Sequence, residues 1–336
     1  MSSMRAWQVP ELGEPADVLR LADVDEPVAG PGEVRVRVEA AAVGLPDALL
    51  CRGTYPFRPP RPFVPGQEVC GVVDAVGDGV DDPALAPGRR VMGVTCFPDG
   101  RGGFAGTTVL AADNAFRVPD DLPAAEAAGF RIGFSTAWTA LVRRAELRTG
   151  ETLVVLGAAG GSGIAAVRLG HALGARVVAV ASGPEKCAYC AAAGADVVMD
   201  RARVAVADLP GALRDATGGR GADVVFDPVG GALAGAALSA LAPRGRFLAV
   251  GFASGEWVAV DALALVARNQ SLLGVLAAGW GRADELDAHE RLLALWAQGR
   301  LRVEPTVVPF DDLPQALTRV AAGEAVGKLV LAVAPR

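Results

Sequence analysis

The sequence of 336 residues is poor in the side chains that bind transition metals, with five cysteines and two histidines. The odd cysteine count offers no disulfide framework, which is typical of a reducing compartment. His171 and His289 lie far apart, and no set of four closely spaced cysteines is present. Zinc sites need Cys, His and carboxylate ligands that converge. We therefore expect no metal site, and we expect both histidines to be packed or surface residues.

One cysteine pair, Cys187 and Cys190, has the C-x-x-C spacing. A redox function is one interpretation of this pair. The other is two small residues one turn apart on a helix that follows Pro184. No second cysteine pair or nearby histidine supports a reactive site, so we interpret the pair as structural.

Positive charge and long hydrophobic runs are also scarce. The formal net charge is −6 and the pI is about 5.1, which argues against partners such as nucleic acid or an anionic membrane. The longest uncharged runs, 152–167 and 228–243, are shorter than the roughly 20 residues of a spanning helix. The N-terminal sequence MSSMRAWQVPELGE lacks the apolar core of a secretion signal. We expect a cytoplasmic protein.

The first third of the chain is rich in short β-strand patterns. Val34, Val36 and Val38 alternate with charged residues, with the period of two that a half-exposed strand shows. Further β segments follow at 69–76, 90–94 and 107–110, separated by turn sequences such as AGPGE and DGVDDPALAPG. These patterns predict a β-rich domain over residues 1–124.

From Thr149 onward, apolar runs alternate with helical stretches. The runs are LVVLG, RVVAVA, DVVM, ADVVFD, GRFLAVG and SLLGVL. Continuous apolar runs are typical of parallel strands covered by helices on both faces. The sequence therefore predicts an α/β fold with a doubly wound parallel sheet over residues 125–280.

The C-terminal segment predicts an amphipathic helix at 283–298, with Leu286, Leu293 and Trp296 along one stripe. A strand near 303–308, a helix near 313–321 and a strand at 328–333 complete the pattern. We expect residues 281–336 to fold back onto the N-terminal domain.

A glycine-rich turn lies between the first apolar run and its helix. Gly161, Gly163 and Ala166 fit the G-x-G-x-x-G/A spacing, with Gly160 and Ser162 as further small residues of the turn. This spacing lets the backbone approach a pyrophosphate that binds the free N–H groups of a helix N-terminus. Strand, turn and helix follow in the expected order, so the segment predicts a Rossmann dinucleotide site rather than a purely structural turn.

The residues after the second run indicate which dinucleotide binds. NAD enzymes usually have Asp or Glu there to hold the ribose hydroxyls, whereas this chain has Ser182. Lys186 follows one helical turn later, and Arg201 comes after the third run. Lysine is rare here, since only Lys186 and Lys328 occur among 32 basic residues. We interpret Lys186 as a ligand of the 2′-phosphate of NADPH, the alternative being a solvated helix residue.

Several segments together carry a family resemblance. They are PDALLCRGTYP (46–56), PFVPGQEVCGVVDAVG (62–77), GGFAG (102–106), GFSTAWTAL (133–141), GAAGGSGIAAV (157–167), ASGPEK (181–186), FDPVGG (226–231), GRFLAVGFASG (245–255) and GKLVL (327–331). Over nearly its full length the chain resembles the zinc-free quinone oxidoreductase branch of the medium-chain dehydrogenase/reductase superfamily, which includes ζ-crystallin-like NADPH:quinone reductases. In zinc-using relatives a histidine precedes the glutamate of the P-G-x-E segment, whereas Gln67 precedes Glu68 here.

The resemblance implies a GroES-like β-rich domain, a Rossmann domain, and a cleft between them for NADPH and substrate. It places Thr136, the loop of Gly251, Phe252 and Ala253, and Leu276 near the nicotinamide. It also places Val229 near the adenine-side ribose or the pyrophosphate, and Asp47 and Tyr55 on the substrate side as the candidate catalytic residues. Without the resemblance, Asp47 would be interpreted as a helix cap and Tyr55 as a core aromatic residue.

Two positions depart from the family pattern. Gly44 stands where relatives commonly have Asn, and Thr107 follows GFAG where an aromatic residue is common. Both changes enlarge the expected pocket and remove polar groups from it. The leading hypothesis is hydride transfer from NADPH to a quinone or conjugated enone.

Two alternatives remain open. An enoyl-thioester reductase would need a basic groove, for which Arg52, Arg58 and Arg61 are the candidates, although a solvated loop also explains them. An NADPH-binding protein with little catalysis is the third possibility. We also expect a homodimer in which the strand at 271–275 pairs with its copy.

Overall fold

A computed structural model describes residues 2–333 of the chain. The chain divides into two compact units. The first contains the chain up to Ile132 together with the chain from Val303, and the second is Gly133–Arg302. Each unit is built around a β-sheet of its own.

The described strands and helices are numbered here in chain order. The strands are β1 (Ser3–Gln8), β2 (Arg20–Asp25), β3 (Glu33–Val43), β4 (Glu68–Val76), β5 (Arg90–Val94), β6 (Thr107–Ala111), β7 (Ala115–Arg117), β8 (Thr152–Val155), β9 (Arg176–Ala181), β10 (Val197–Asp200), β11 (Ala222–Asp227), β12 (Leu241–Ala249), β13 (Ser271–Gly274), β14 (Thr306–Pro309) and β15 (Leu329–Ala332). The helices are α1 (Pro15–Val18), α2 (Leu45–Arg52), α3 (Ala124–Ala128), α4 (Arg131–Trp138), α5 (Gly161–Ala172), α6 (Pro184–Ala192), α7 (Leu209–Ala216), α8 (Gly231–Ser239), α9 (Ala262–Arg268), α10 (Arg282–Ala297) and α11 (Leu313–Ala321).

The first unit is the predicted β-rich domain. Its main sheet has the order β14-β15-β3-β4-β5-β7, with β6 also paired to β3. Val34, Val36 and Val38 are buried, as the alternating pattern of β3 predicts. The closing strand β15 pairs antiparallel with β3, which confirms that the end of the chain folds back onto this unit.

The second unit contains a six-stranded sheet with the order β10-β9-β8-β11-β12-β13. All of its strand pairs are parallel. This order of strands 3-2-1-4-5-6 is that of the doubly wound dinucleotide-binding fold, which confirms the predicted α/β class. Residues 153–156 and 177–180 are fully buried, because strands covered on both faces must be apolar at every position.

Both unit boundaries lie later in the chain than the expected positions after residues 124 and 280. Helix α3 packs against β3 and β4 of the first unit. Helix α10 belongs to the second unit, where Arg143 donates to Glu285 at 2.7 Å and the Arg300 guanidinium donates to the carbonyl of Ala172. Leu293 and Trp296 of the predicted apolar stripe are buried, whereas Leu286 is exposed.

An apolar surface follows the free edge of the second sheet. Leu272 on β13 and Leu276 just after it are exposed, and among the described residues β13 pairs only with β12. A free strand edge with apolar neighbours is suited to pairing with another chain, and the homodimer through β13 stays a prediction. Within residues 2–333, no helix combines the length and apolarity needed to cross a bilayer.

Candidate functional site

The glycine-rich turn joins β8 to α5, with Gly160 as the residue before the helix. A Cβ added to Gly163 would lie 2.3 Å from the carbonyl oxygen of Gly157 and 2.8 Å from the Cα of Ala158. Only glycine fits where two backbone segments approach this closely. The first N–H groups of α5 have no acceptor within the helix, which is the arrangement that suits an anion. The predicted helix start near Gly161 is confirmed.

The end of β11 supplies a residue that sequence reasoning missed. The Asp227 side chain is fully buried, and its Oδ1 accepts hydrogen bonds from the N–H groups of Val229 and Gly230 at 2.9 Å each. Its Oδ2 has no hydrogen-bond partner among the described residues. Burial raises the pKa of this carboxyl group. Asp227 thereby fixes the loop that presents Val229, and the only available signal was its place at a strand end.

Three of the predicted cofactor segments meet at the carboxyl ends of β8, β11 and β12. The Cγ2 of Val229 lies 2.9 Å from where a Cβ on Gly157 would be. The N–H of Ala253 donates to the carbonyl of Pro228 at 3.1 Å, and Phe252 packs against Trp257 with ring centroids 4.9 Å apart. In a doubly wound sheet this edge is the usual place for a dinucleotide.

The remaining predicted nicotinamide residues flank this edge. Thr136 lies half-buried on α4, one turn after Gly133, whose position packs against the start of α5 with 3.4 Å to the carbonyl oxygen of Gly161. Leu276 follows β13 and is 70% exposed. The contact of Gly133 puts the helix that carries Thr136 next to the start of α5, and the roles of Thr136 and Leu276 stay predictions.

The predicted phosphate corner is formed by the ends of β9 and β10. Ser182 is exposed directly after β9, and Lys186 is half-buried in the first turn of α6. The N–H of Arg201 donates to the carbonyl of Ala181 at 2.7 Å, so the hydroxyl and both cations belong to one corner. The three residues predicted to hold the 2′-phosphate are therefore neighbours.

This corner also contains an acidic group, which the residues around Ser182 in the sequence do not reveal. The Asp200 Oδ1 accepts hydrogen bonds from the N–H groups of Gly183 and Ala202, at 2.9 and 3.0 Å. These bonds lower the pKa of Asp200, and Arg203 lies 3.7 Å from its other oxygen. Asp200 reaches the corner because β9 and β10 are neighbours in the sheet. Its carboxylate shapes the loop, and Arg203 partly balances its charge.

In the first unit, Asp47 is a helix cap. Its Oδ2 accepts from the N–H of Gly44 at 2.9 Å, and its Oδ1 accepts from the N–H groups of Gly66 and Gln67 at 3.2 and 3.1 Å. The residue is 2% exposed, and burial raises its pKa to about 7 against the opposing effects of these donors and of Lys328. Asp47 therefore positions the segment at Gly66, and the expected contact with substrate is not what this geometry provides.

A buried ion pair lies beside this cap. The Nζ of Lys328 is 2.8 Å from Oε2 of Glu68, and the other oxygen of Glu68 accepts from the N–H of Ile132 at 2.7 Å. Glu68 is 2% exposed. The pair joins Lys328, directly before β15, to Glu68 at the start of β4, although the two residues are 260 positions apart in the sequence.

Tyr55 lies half-buried among aromatic rings, with its ring centroid 6.0 Å from that of Phe57 and 6.4 Å from that of Phe97. Burial raises the pKa of the phenol, whereas the neighbouring Gln67 side chain lowers it. The net shift is upward, so the phenol is protonated at neutral pH. Tyr55 thus has a proton to donate, and Asp47 positions the backbone of its neighbour Gln67.

The residues around Gln67 do not fit a zinc ion. Glu68 is paired with Lys328, and both carboxylate oxygens of Asp47 accept hydrogen bonds from backbone N–H groups. Within residues 2–333 one cluster, Glu33, Cys96 and Asp99, brings three metal-binding atoms within 4.8 Å of one another.

Arg101 already occupies that cluster, pairing with Glu33 at 2.6 Å and with Asp99 at 3.1 Å. A guanidinium group in contact with both carboxylates opposes a metal cation there. Burial raises the pKa of Cys190 to about 12 and also raises that of Cys187, so both thiols are protonated at neutral pH.

Two family models match the chain: an alcohol dehydrogenase GroES-like domain at residues 30–120 and a zinc-binding dehydrogenase at residues 161–294. The quinone oxidoreductase-like protein 2 homolog of Nematostella vectensis is 32% identical over 338 residues, covering 98% of this chain and 89% of the relative. The chain therefore belongs to the quinone oxidoreductase-like family of the medium-chain dehydrogenases/reductases. This is an oxidoreductase family that binds a nicotinamide cofactor.

Solved structures of other proteins are similar to this chain over 98% of its length. Mycobacterial Rv1454c complexed with NADPH is 32% identical, with a TM-score of 0.89 over 98% of this chain and all of that one. An NAD-dependent alcohol dehydrogenase is 31% identical, with a TM-score of 0.87 over the same shares. These two proteins are named with different dinucleotides, so the choice of cofactor depends on the residues of the phosphate corner.

We expect Gly163→Ala to weaken NADPH binding by at least about tenfold, or 1.4 kcal/mol. The new methyl group would displace the carbonyl of Gly157 and with it the turn that receives the pyrophosphate. Calorimetric titration with NADPH measures the change. Gly235→Ala on α8 is the matched control, because a Cβ there meets nothing within 4 Å. Equal affinities in both variants would contradict the assigned role of the turn.

We expect a pH dependence of stability from Asp47, whose pKa rises from 3.8 to about 7 on folding. Between pH 5 and 7 the folded protein keeps a proton that the unfolded chain has lost, so the free energy of unfolding falls as pH rises. Relative to Asp47→Asn, the native protein should lose about 2 to 3 kcal/mol over this range. Urea unfolding at both pH values measures this, and a constant difference would show a carboxyl that is ionised throughout.

Proposed function

We propose that this protein is an NADPH-dependent reductase of quinones or conjugated enones that works without a metal ion. The observation that carries the proposal is the close backbone approach at Gly163, next to a corner that offers Ser182, Lys186 and Arg201. A hydroxyl and two cations suit a 2′-phosphate, which a ribose-binding carboxylate in the position of Ser182 would repel. The NADPH complex of a similar mycobacterial protein supports this choice.

Bound NADPH would supply the hydride, and the substrate would gain one proton to complete its two-electron reduction. Tyr55 would deliver that proton to the substrate oxygen. Burial keeps its phenol protonated, and the aromatic rings of Phe57 and Phe97 keep its surroundings apolar. The Asp47 cap holds the backbone of the nearby residue Gln67 in place.

The side chains near Gln67 support a reaction that needs no metal ion. A metal-dependent dehydrogenase uses its ion to polarise an alcohol or ketone oxygen. Here the corresponding segment offers an amide, and its acidic neighbour Glu68 is neutralised by Lys328. Quinones and conjugated enones are already electron-poor at carbon, so they are the substrates that need this polarisation least.

A screen of NADPH oxidation in the presence of a metal chelator tests the proposed function. We expect turnover with quinones or conjugated enones and none with saturated ketones. Loss of activity on chelation, with recovery on adding zinc, would refute the metal-free chemistry. Tight NADPH binding with no turnover of either substrate class would instead favour a binding protein.

Tyr55→Phe should lower turnover of enones by about 100-fold, the usual contribution of a positioned acid. NADPH affinity should not change, because the mutation keeps the ring. Tyr189→Phe, the same change at the only other tyrosine of the chain, is the control. Steady-state rates for both variants decide the matter, and unchanged turnover in Tyr55→Phe would remove this residue from the mechanism.

A further inference from the structure

The first unit contains a cavity of about 360 Å³ beside helix α2. This volume is within the range of small-molecule sites. Its floor is apolar, since Leu50 and Phe63 are each 2% exposed. Leu12 forms one wall and packs against the end of α2, where a Cβ on Gly53 would lie 2.6 Å from its Cδ1. Gly53 has a φ of 69°, so both the backbone and the wall require glycine there.

Two arginines, Arg58 and Arg61, also line this cavity. Both are exposed, and neither makes a hydrogen bond or an ion pair with any residue from 2 to 333. Prolines at 59, 60 and 62 fix the backbone φ around them, so the segment that carries both guanidinium groups is stiff. The cavity therefore combines an apolar floor with two cations whose charges are not balanced by neighbours.

The nearby acidic residues Glu11 and Glu14 do not form ion pairs with Arg58 or Arg61. Glu14 is held by Arg52 through three contacts of 2.8 to 3.1 Å. Glu11, next to the cavity wall in sequence, forms no ion pair with either arginine. The chain as a whole carries a net charge of −6, so any attraction for an anion has to come from a local group such as this one.

The cavity is next to the proposed proton donor. Phe57 lines the cavity, and its ring centroid is 6.0 Å from that of Tyr55. The Phe57 ring thus contacts Tyr55 and also lines the cavity that contains Arg58 and Arg61. A small neutral quinone would leave both guanidinium groups without a partner.

We propose that this cavity binds the apolar stem of the substrate and that Arg58 and Arg61 bind an anionic group, phosphate or carboxylate, at its far end. Guanidinium groups bind both oxyanions with paired hydrogen bonds. This inference rests on the proposed function and narrows its substrates to conjugated carbonyl compounds that carry a distal anion. Thioesters of coenzyme A and enones with a carboxylate tail are the two sources of such chemistry.

Two matched substrate pairs test the proposal. Crotonyl-CoA is compared with the crotonyl thioester of N-acetylcysteamine, and a medium-chain enone ending in a carboxylate is compared with its methyl ester. The native enzyme should prefer the charged member of at least one pair by about tenfold or more in kcat/KM. Arg58→Ala/Arg61→Ala should abolish this preference and leave the neutral compounds unaffected.

Arg37→Ala/Arg89→Ala is the matched control, since it removes two exposed arginines of the same unit and should retain the preference. A preference confined to the CoA pair identifies phosphate as the anion, and one confined to the other pair identifies carboxylate. No preference in either pair, or equal loss in the control, overturns the assignment.

Binding without turnover separates this inference from the proposed function. Butyryl-CoA and octanoate, which contain no reducible bond of this kind, are titrated into enzyme saturated with NADPH. If binding is lost only in Arg58→Ala/Arg61→Ala while no compound is reduced, the anion site stands and the reductase function fails. If enones are reduced but the variant binds both probes as the native enzyme does, the function stands and the anion site fails.

Discussion

Close backbone contact at the carboxyl end of the parallel sheet is the constraint on which the nucleotide site depends. Gly163 can approach the carbonyl of Gly157 only without a side chain, at the start of α5 where the first N–H groups have no acceptor within the helix. The neighbouring strand end is held by Asp227, whose buried carboxylate receives two N–H groups of the loop that carries Val229. One edge of the sheet thus gains a cradle made almost entirely of backbone, which suits a pyrophosphate.

In the first unit, the main constraint is that buried acidic side chains need partners. Glu68 is paired with Lys328, and breaking such a buried pair costs about 3 to 5 kcal/mol. Asp47 gives its oxygens to three main-chain N–H groups and so fixes the backbone of Gln67 next to Tyr55. With both carboxyl groups engaged by partners, the phenol of Tyr55 is the proton source that we propose. The chemistry proposed for this unit combines a neutral acid, Tyr55, with an anion-binding site formed by Arg58 and Arg61.

The parallel strands of the second unit were predictable because each is a continuous apolar run, and the glycine spacing located the turn at Gly163. The assignment of α10 to the second unit was not predictable, because its apolar stripe does not indicate which unit it packs against. The presence of Asp200 at this corner was not predictable from its position in the chain, because the pairing of β10 with β9 brings it there across the sheet. The cap at Asp47 was the alternative that its position alone suggested, and its burial depends on segments far away in sequence.

The central claim is that Ser182, Lys186 and Arg201 outweigh Asp200 at the phosphate corner. Calorimetric titration of the native protein with NADPH and with NADH, at the same ionic strength, tests it most directly. The account predicts that NADPH binds at least about tenfold more tightly, since paired cations favour the extra phosphate. Equal affinity, or tighter binding of NADH, would show that the carboxylate of Asp200 governs this corner and would contradict the account.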